Sequence, residues 1–214
     1  MVQIHQGPLP LPSSTLKAGA LSFGVGHGTG RRRPWAESPD NFRQTEMSDP
    51  IDPRVGIGHV HLKVAHLDRA LAFYHGVLGF EVMQRMGDQA AFLSAGGYHH
   101  HIGLNTWQSR GGGPPAPGTT GLFHVAIRYP DRATLADALR RLVDAGVPLD
   151  GAADHGVSEA LYLRDPDGNG VELMWDRPRE AWPRRPDGTL AMVTEALDLG
   201  ALLAEAGGPA RGAG

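Results

Sequence analysis

The sequence contains the same short pattern twice, and this duplication constrains the fold more than any other feature. His59-Val-His-Leu-Lys-Val64 and His124-Val-Ala-Ile-Arg-Tyr129 both open with a histidine and continue with alternating residues. Alternation with a period of two is typical of a β-strand that buries one face. The two opening histidines are 65 residues apart (124 minus 59). Internal duplication explains similar segments at such a spacing better than chance does.

Both copies continue with the same order of predicted elements, β-α-β-β-β. The first copy covers residues 57–107 and the second covers 122–176, with a linker rich in Gly and Pro over 109–119. Apolar residues at helical spacing predict the helices, which are 68–78 and 131–145. Short alternating runs predict the remaining strands, which are 80–86, 90–94 and 99–107 in the first copy and 147–149, 160–164 and 170–175 in the second. The pattern predicts an α+β fold of two βαβββ modules in tandem, forming a curved mixed sheet.

The regions that flank this patterned domain, residues 54–176, differ from it in composition. Residues 1–53 are rich in Pro and Gly and lack apolar periodicity, which predicts a disordered N-terminal extension. Met47 lies directly before the patterned region, and we therefore hypothesise that the natural chain begins there. Residues 177–214 form a C-terminal extension with one short helix expected over 194–206.

Composition excludes several classes of function. The chain has no cysteine, so disulfides, thiolate metal sites and cysteine nucleophiles are excluded. A formal net charge of -3 does not favour nucleic acid or an anionic membrane as a partner. No apolar run approaches the roughly 18 residues that a membrane-spanning helix needs. A cytoplasmic location is expected. The 11 histidines are the unusual feature, and most lie where strands are predicted.

Three of the polar residues in the predicted strands form a candidate metal site. His59 and His124 stand near the start of the first strand of each module, and Glu172 stands in the last strand of the second. Glu172 faces away from its apolar neighbours, and a carboxylate buried without a partner is strongly unfavourable. Two imidazoles and one carboxylate suit a first-row divalent metal and leave positions open for substrate and dioxygen. Pairing of the two modules would bring these three ligands together.

The motifs around these residues resemble the vicinal oxygen chelate superfamily. The resemblance rests on the two His-Val openings, Leu71-Ala-Phe-Tyr-His-Gly-Val-Leu-Gly-Phe80 and Asp165-Pro-Asp-Gly-Asn-Gly-Val-Glu-Leu173. That superfamily includes glyoxalase I, fosfomycin-resistance thiol transferases, bleomycin-binding proteins and extradiol dioxygenases. The resemblance implies paired modules around a metal held by His59, His124 and Glu172. Glyoxalase-like members carry a further Glu or Gln where this chain has Gly103, so three protein ligands are expected.

The run from Gly96 to Asn105 is similar to that of catechol 2,3-dioxygenase-like proteins. In extradiol enzymes a catalytic histidine lies three residues before the vacant ligand position, which corresponds to His100 here. An imidazole that titrates near neutral pH can both take and return a proton. His101 is the alternative and otherwise a pocket residue, because a register shift of one residue exchanges the faces of a strand.

Further site residues follow from the same resemblance and from strand geometry. Extradiol enzymes carry a tyrosine ten residues before the ligand glutamate, and Tyr162 stands ten before Glu172. The resemblance also assigns a catalytic role to His155. His61 shares the strand face of His59 and is expected to line the substrate pocket.

These residues predict an extradiol-type ring-cleaving dioxygenase that acts on a catecholic substrate with O2. Fe(II) is the expected metal, with Mn(II), Ni(II) and Zn(II) as alternatives. A homodimer is an open possibility, and typical two-domain extradiol enzymes have four modules where this chain has two. The alternatives are a glyoxalase-like lyase, a fosfomycin-type thiol transferase with Lys63 and Arg128 as candidate cations, and a non-catalytic bleomycin-type binding protein.

Overall fold

The structure, a computed structural model, describes residues 49–207 of the chain. The predicted disorder of the N-terminal extension and the hypothesis about Met47 concern residues that lie almost wholly outside this range. Within the described residues, 54–207 belong to one compact unit.

Both modules contain the predicted elements in the predicted order, which confirms the α+β class. Module one comprises β1 (Val60–Lys63), α1 (Leu67–Leu71), a π-helical segment (Ala72–Val77), β2 (Glu81–Met86), β3 (Ala90–Ser94) and β4 (Ile102–Asn105). Module two comprises β5 (Val125–Tyr129), α2 (Arg132–Asp144), β6 (Leu149–Asp154), β7 (Ser158–Arg164) and β8 (Gly170–Asp176). The C-terminal extension contains a 3-10 helix (Arg179–Ala181), β9 (Glu195–Ala196) and α3 (Leu199–Ala204).

Within the described residues, the strands form two mixed sheets, one for each module. The order is β1-β4-β3-β2 in the first sheet and β5-β8-β7-β6-β9 in the second. In each sheet the first strand pairs in parallel with the last strand of its module, and the other pairs are antiparallel. The two strands that follow the opening histidines, β1 and β5, are therefore equivalent edge strands.

The strand predicted over 99–107 is shorter than expected, and this changes the position of three histidines. β4 begins at Ile102, so His99, His100 and His101 lie in the turn that precedes it. Gly96 and Gly97 have φ values of 68° and 76°, a left-handed conformation that glycine adopts without strain. The chain therefore turns sharply before the histidines. The alternation of faces that applies to a strand does not apply to them.

The helix predicted over 194–206 is also wrong in its first part. Glu195–Ala196 pairs with β6 as β9, and the helix covers only Leu199–Ala204. The side chain of Asp198 accepts a hydrogen bond from the Ala201 N–H, which is the geometry of an N-cap and fixes the helix start. The residues before the cap are thus free to add a strand to the open edge of β6.

One apolar core serves both modules. The amphipathic face of α2 supplies Leu135, Leu139 and Leu142, all at most 3% exposed. Asp131 caps α2 through a reciprocal pair of hydrogen bonds with Thr134, which confirms the predicted start of this helix. Burial of this face drives the packing of the helix, since helices gain most of their stability from such contacts.

A turn of module two is tied to the helix of module one by polar contacts. The Tyr74 hydroxyl donates a hydrogen bond to Asp165 Oδ2 at 3.0 Å in the buried core. Desolvation raises the pKa of Tyr74, and the negative charge of Asp165 raises it further. Asp167 Oδ1 accepts from the Ala65 N–H at 3.0 Å and pairs with Arg69 at 2.6 Å. These contacts fix one module against the other.

Candidate functional site

Two of the predicted metal ligands meet at the edge of the second sheet. His124 immediately precedes β5, and Glu172 lies in the adjacent strand β8. His124 Nε2 and Glu172 Oε2 are 2.9 Å apart. Glu172 is only 9% exposed, and this contact partly compensates its lost hydration. The predicted carboxylate thus faces the predicted imidazole.

Tyr162 and His155 extend this contact into a chain of polar groups. Tyr162 pairs directly with Glu172 across β7 and β8. The Tyr162 hydroxyl lies 3.2 Å from Glu172 Oε1 and 2.8 Å from His155 Nε2. Desolvation, followed by the charge of Glu172 and the hydrogen bond to it, raises the pKa of Tyr162 to about 12. The hydroxyl is therefore protonated at neutral pH and available as a donor.

His59 lies in a second cluster, which belongs to module one. The ring centroids of His59 and His100 are 4.3 Å apart. His100 Nδ1 lies 2.8 Å from His99 Nδ1, which leaves Nε2 of His100 as its open nitrogen. Desolvation and the neighbouring histidines, His59 first among them, lower the pKa of His100. The imidazole of His100 is therefore uncharged at neutral pH and able to accept a proton.

Gly103 stands at the vacant ligand position of module one, and the His61 ring fills the space that a side chain at position 103 would occupy. His61 pairs with Gly103 across β1 and β4, as Ala126 pairs with Glu172 in module two. A Cβ atom added to Gly103 would lie 2.9 Å from both Cγ and Cδ2 of His61. Desolvation and the proximity of His59 lower the pKa of His61. A neutral imidazole therefore covers Gly103.

Two aromatic side chains that the sequence analysis did not single out complete this surface. The His61 ring lies 6.0 Å from Phe92 and 5.5 Å from Trp107, centroid to centroid. The Phe92 ring is also 5.1 Å from His100. Phe92 pairs with Gly103 across β3 and β4, so its place on this face followed from strand pairing alone. We call Phe92, Trp107 and His61 the aromatic wall.

His101, the alternative to His100, has different neighbours. Its Nδ1 lies 3.2 Å from Ser94 Oγ and 3.4 Å from the Ala95 nitrogen. Its ring packs on Tyr98 at 4.8 Å. Of the two histidines, His100 is therefore the one with its ring against His59.

The structure holds the three predicted ligands in two clusters. Among residues 49–207, no group of three or more His, Asp or Glu side chains is assembled as a ready metal site. The chemistry of the donor set nevertheless fits, because two imidazole nitrogens and one carboxylate oxygen suit a divalent first-row ion. His124 Nε2 and Glu172 Oε2, 2.9 Å apart, are the two donor atoms of this set that the structure brings together.

Two cavities differ in their relation to these clusters. A pocket of about 290 Å³ is lined by His124 and Tyr162 together with Phe123, Gly151 and Gly170. A larger cavity of about 760 Å³ lies between Phe80 and Tyr129 and contains Arg128 but none of the predicted metal ligands or catalytic residues. We assign the site to the smaller pocket because the polar groups converge there. Of the two candidate cations for a thiol transferase, Arg128 pairs with Asp176 at 3.5 Å.

The chain is similar to one known protein family and to several known proteins. A model of the glyoxalase/bleomycin resistance protein/dioxygenase superfamily matches residues 56–173. The chain is 45% identical to a catechol-2,3-dioxygenase of Bacillus subtilis over 151 residues, which are 71% of this chain and 52% of that protein. It is 36% identical to a biphenyl-2,3-diol 1,2-dioxygenase of Rhodococcus globerulus, over 59% of this chain and 65% of that protein. The chain thus spans between half and two thirds of these relatives.

One solved structure is also similar to this chain. The crystal structure of a lactoylglutathione lyase from Agrobacterium tumefaciens matches 58% of this chain and 96% of that chain, at 25% identity and a TM-score of 0.46. Between residues 49 and 207, no helix is long and apolar enough to cross a membrane.

Proposed function

Because the chain belongs to the glyoxalase/bleomycin resistance protein/dioxygenase superfamily, we propose that it is an extradiol-type dioxygenase that cleaves the ring of a catecholic substrate with O2. One observation carries the proposal. Each half of the predicted ligand set has a neighbour that can handle a proton, His100 beside His59 and Tyr162 beside Glu172. The names of the two dioxygenase relatives support the same reaction class.

The proposed metal ligands are His59, His124 and Glu172. Fe(II) is the preferred ion, and Mn(II), Ni(II) and Zn(II) are compatible with the same donors. When bound, the ion supplies a positive centre that holds and polarises the diol oxygens and dioxygen together. His124 and Glu172 would hold the ion in their unprotonated forms, since a ligand atom must offer its lone pair.

His100 is the proposed acid–base residue. Its Nδ1 is engaged by His99, so its Nε2 accepts the proton of a diol hydroxyl and returns it to the ring-opened product. The lowered pKa of His100 keeps the accepting form populated at neutral pH. Its contact with His59 places it beside a proposed ligand, where a diol oxygen binds.

Tyr162 is the proposed orienting residue on the opposite side. Its hydroxyl remains protonated and would form a hydrogen bond with a substrate oxygen near Glu172. His155 contacts the same hydroxyl and controls its orientation. A hydroxyl whose orientation is fixed before the substrate arrives loses no further orientational freedom during reaction.

The substrate class is a small aromatic diol. The aromatic wall offers the flat apolar surface against which a substituted benzene ring packs. Trp107 is 56% exposed, so the wall is open to solvent on one side and admits a ring with a substituent. His101 contacts Ser94 and Tyr98, and its contribution to the pocket stays a prediction.

Oxygen uptake by the Fe(II)-loaded chain tests the proposal. The full chain is loaded anaerobically and mixed with a panel of catechols while oxygen and near-ultraviolet absorbance are followed. Rapid uptake with a yellow product is expected, with loss of activity in His124→Ala and a slow rate in His100→Ala. His66→Ala is the matched control because His66 is exposed and lies in neither cluster. Tight metal binding without uptake for any catechol would contradict ring cleavage and favour a lyase or thiol transferase.

A further inference from the structure

The C-terminal extension contacts His155 of the proposed site through the backbone of Val193 and the side chain of Thr194. We propose that the carbonyl oxygen of Val193 fixes the tautomer of His155 and so makes His155 a positioning residue for the Tyr162 hydroxyl. The catalytic consequence rests on the proposed function, whereas the tautomer itself does not. The C-terminal extension then contributes to the function of the site.

The segment around Val193 is held against His155 by reciprocal hydrogen bonds. The Val193 N–H donates to the His155 carbonyl oxygen at 3.1 Å, and His155 Nδ1 lies 3.0 Å from the Val193 carbonyl oxygen. The next residues continue into β9, which pairs with β6. These two hydrogen bonds and the pairing of β9 with β6 leave the Val193 carbonyl little freedom to turn away.

Gly156 permits this close approach. Its φ is +73°, a conformation that favours glycine, and a Cβ atom there would lie 3.0 Å from Pro183 Cγ and 3.5 Å from Val193 Cγ2. The extension therefore packs directly on the backbone beside His155. A side chain at this position would separate the two segments.

Counting protons assigns the tautomer. A carbonyl oxygen only accepts, so the contact with Val193 requires a proton on His155 Nδ1. A neutral imidazole carries one N–H, and Nε2 is then a lone pair that accepts from the Tyr162 hydroxyl at 2.8 Å. Thr194 Oγ1, 3.4 Å from the same Nδ1, is a longer contact whose hydroxyl is compatible with either tautomer. The carbonyl of Val193 therefore decides in favour of the Nδ1–H form.

The tautomer determines where the single hydroxyl proton of Tyr162 points. The hydroxyl has two acceptors, His155 Nε2 at 2.8 Å and Glu172 Oε1 at 3.2 Å. With Nε2 unprotonated, the shorter contact is a full hydrogen bond that holds the hydroxyl away from Glu172. With Nε2 protonated, the hydroxyl turns to the carboxylate. The extension thus selects the first orientation through His155.

Nitrogen NMR of the full chain, labelled with ¹⁵N-histidine, tests the assignment directly. The two ring-nitrogen signals of His155 are identified by their absence in His155→Gln. His66→Gln is the matched control, which removes the two ring-nitrogen signals of a different histidine. We expect a protonated Nδ1 and an unprotonated Nε2 near neutral pH, in metal-free and Zn(II)-loaded protein alike. An Nε2–H tautomer, or an imidazole protonated on both nitrogens, would overturn the proposal.

A backbone variant tests the role of the extension. Val193→Pro removes the N–H that bonds to His155, and we expect the His155 signals to shift toward a mixture of tautomers. With catechol turnover as a second readout, kcat falls about tenfold, the loss typical of one hydrogen bond, while Zn(II) affinity is unchanged. An unchanged tautomer in a folded Val193→Pro chain would contradict the role of the segment. If this variant does not fold, the spectrum of the wild-type chain alone decides, and it does so whether or not catechols are cleaved.

Discussion

Gly103→Ala should force the His61 imidazole away from its position over residue 103. The added Cβ atom would lie 2.9 Å from Cγ and Cδ2 of His61 and 3.1 Å from its Nδ1. Ordinary carbon contacts begin at about 3.5 Å, so the ring must move by several tenths of an ångström. Overpacking costs about 1–3 kcal/mol in closed cores, and His61 is exposed enough to rotate. We therefore expect a loss of about 1 kcal/mol in the free energy of unfolding.

A double-mutant cycle measured by urea denaturation isolates this contact. In a His61→Ala chain the space above Gly103 is open, and the same Gly103→Ala change should then be close to neutral, giving a coupling energy of about 1 kcal/mol. Gly113→Ala is the matched control, since its Cβ atom meets nothing within 4 Å and its φ is not in the left-handed region. Equal losses in both backgrounds would refute the steric explanation. In turnover assays, a raised KM with little change in kcat is the expected sign that the aromatic wall binds the ring.

Three further predictions concern the modules, the ligand pair and the second helix. Tyr74→Phe should lower the free energy of unfolding by about 1.5–3 kcal/mol, because Asp165 loses a buried donor. Since the pKa of Tyr74 is raised, its contribution is full below about pH 10 and is lost at higher pH, so wild type and variant should converge in alkaline urea titrations. Zn(II) binding should release protons, because His124 and Glu172 must offer unprotonated donor atoms to the ion. Calorimetry in buffers of different ionisation enthalpy measures this release, and the affinity should weaken as pH falls. Asp131→Ala should cost about 1 kcal/mol through loss of the α2 cap, with metal affinity unchanged; a weaker affinity would contradict a purely structural role.

The sequence predicted the modules well because their strands and helices have clear local signals. The amphipathic repeat and the Asp131 cap define α2 within one residue at each end. The prediction was wrong for the start of β4 because the polar run His99–His101 has no periodicity that separates a turn from a strand end. It was wrong at the start of α3 because the pairing of β9 with β6 depends on an edge that only the assembled sheet presents.

The candidate site also contains residues that the sequence predicted and a residue that it did not predict. Glu172 was predicted as a ligand from its strand position and Tyr162 as its neighbour from the family resemblance, and strand pairing places the two opposite one another. The contribution of Val193 was not predictable, because its relevant atom is a backbone oxygen that every residue type shares.

A comparison of the two modules explains how one duplicated unit produces an asymmetric site. In module two the small residue is on the first strand and the long polar residue on the last, Ala126 opposite Glu172. Module one reverses this arrangement, with His61 on the first strand opposite Gly103 on the last. Each cross-strand pair therefore fills its face with one long side chain, and a second long side chain would collide with the first, as the 2.9 Å approach at Gly103 shows. The reversal replaces a second carboxylate by a neutral imidazole. The proposed ligand set then carries one negative charge, which leaves a divalent ion with a net positive charge to attract the oxygens of a diol.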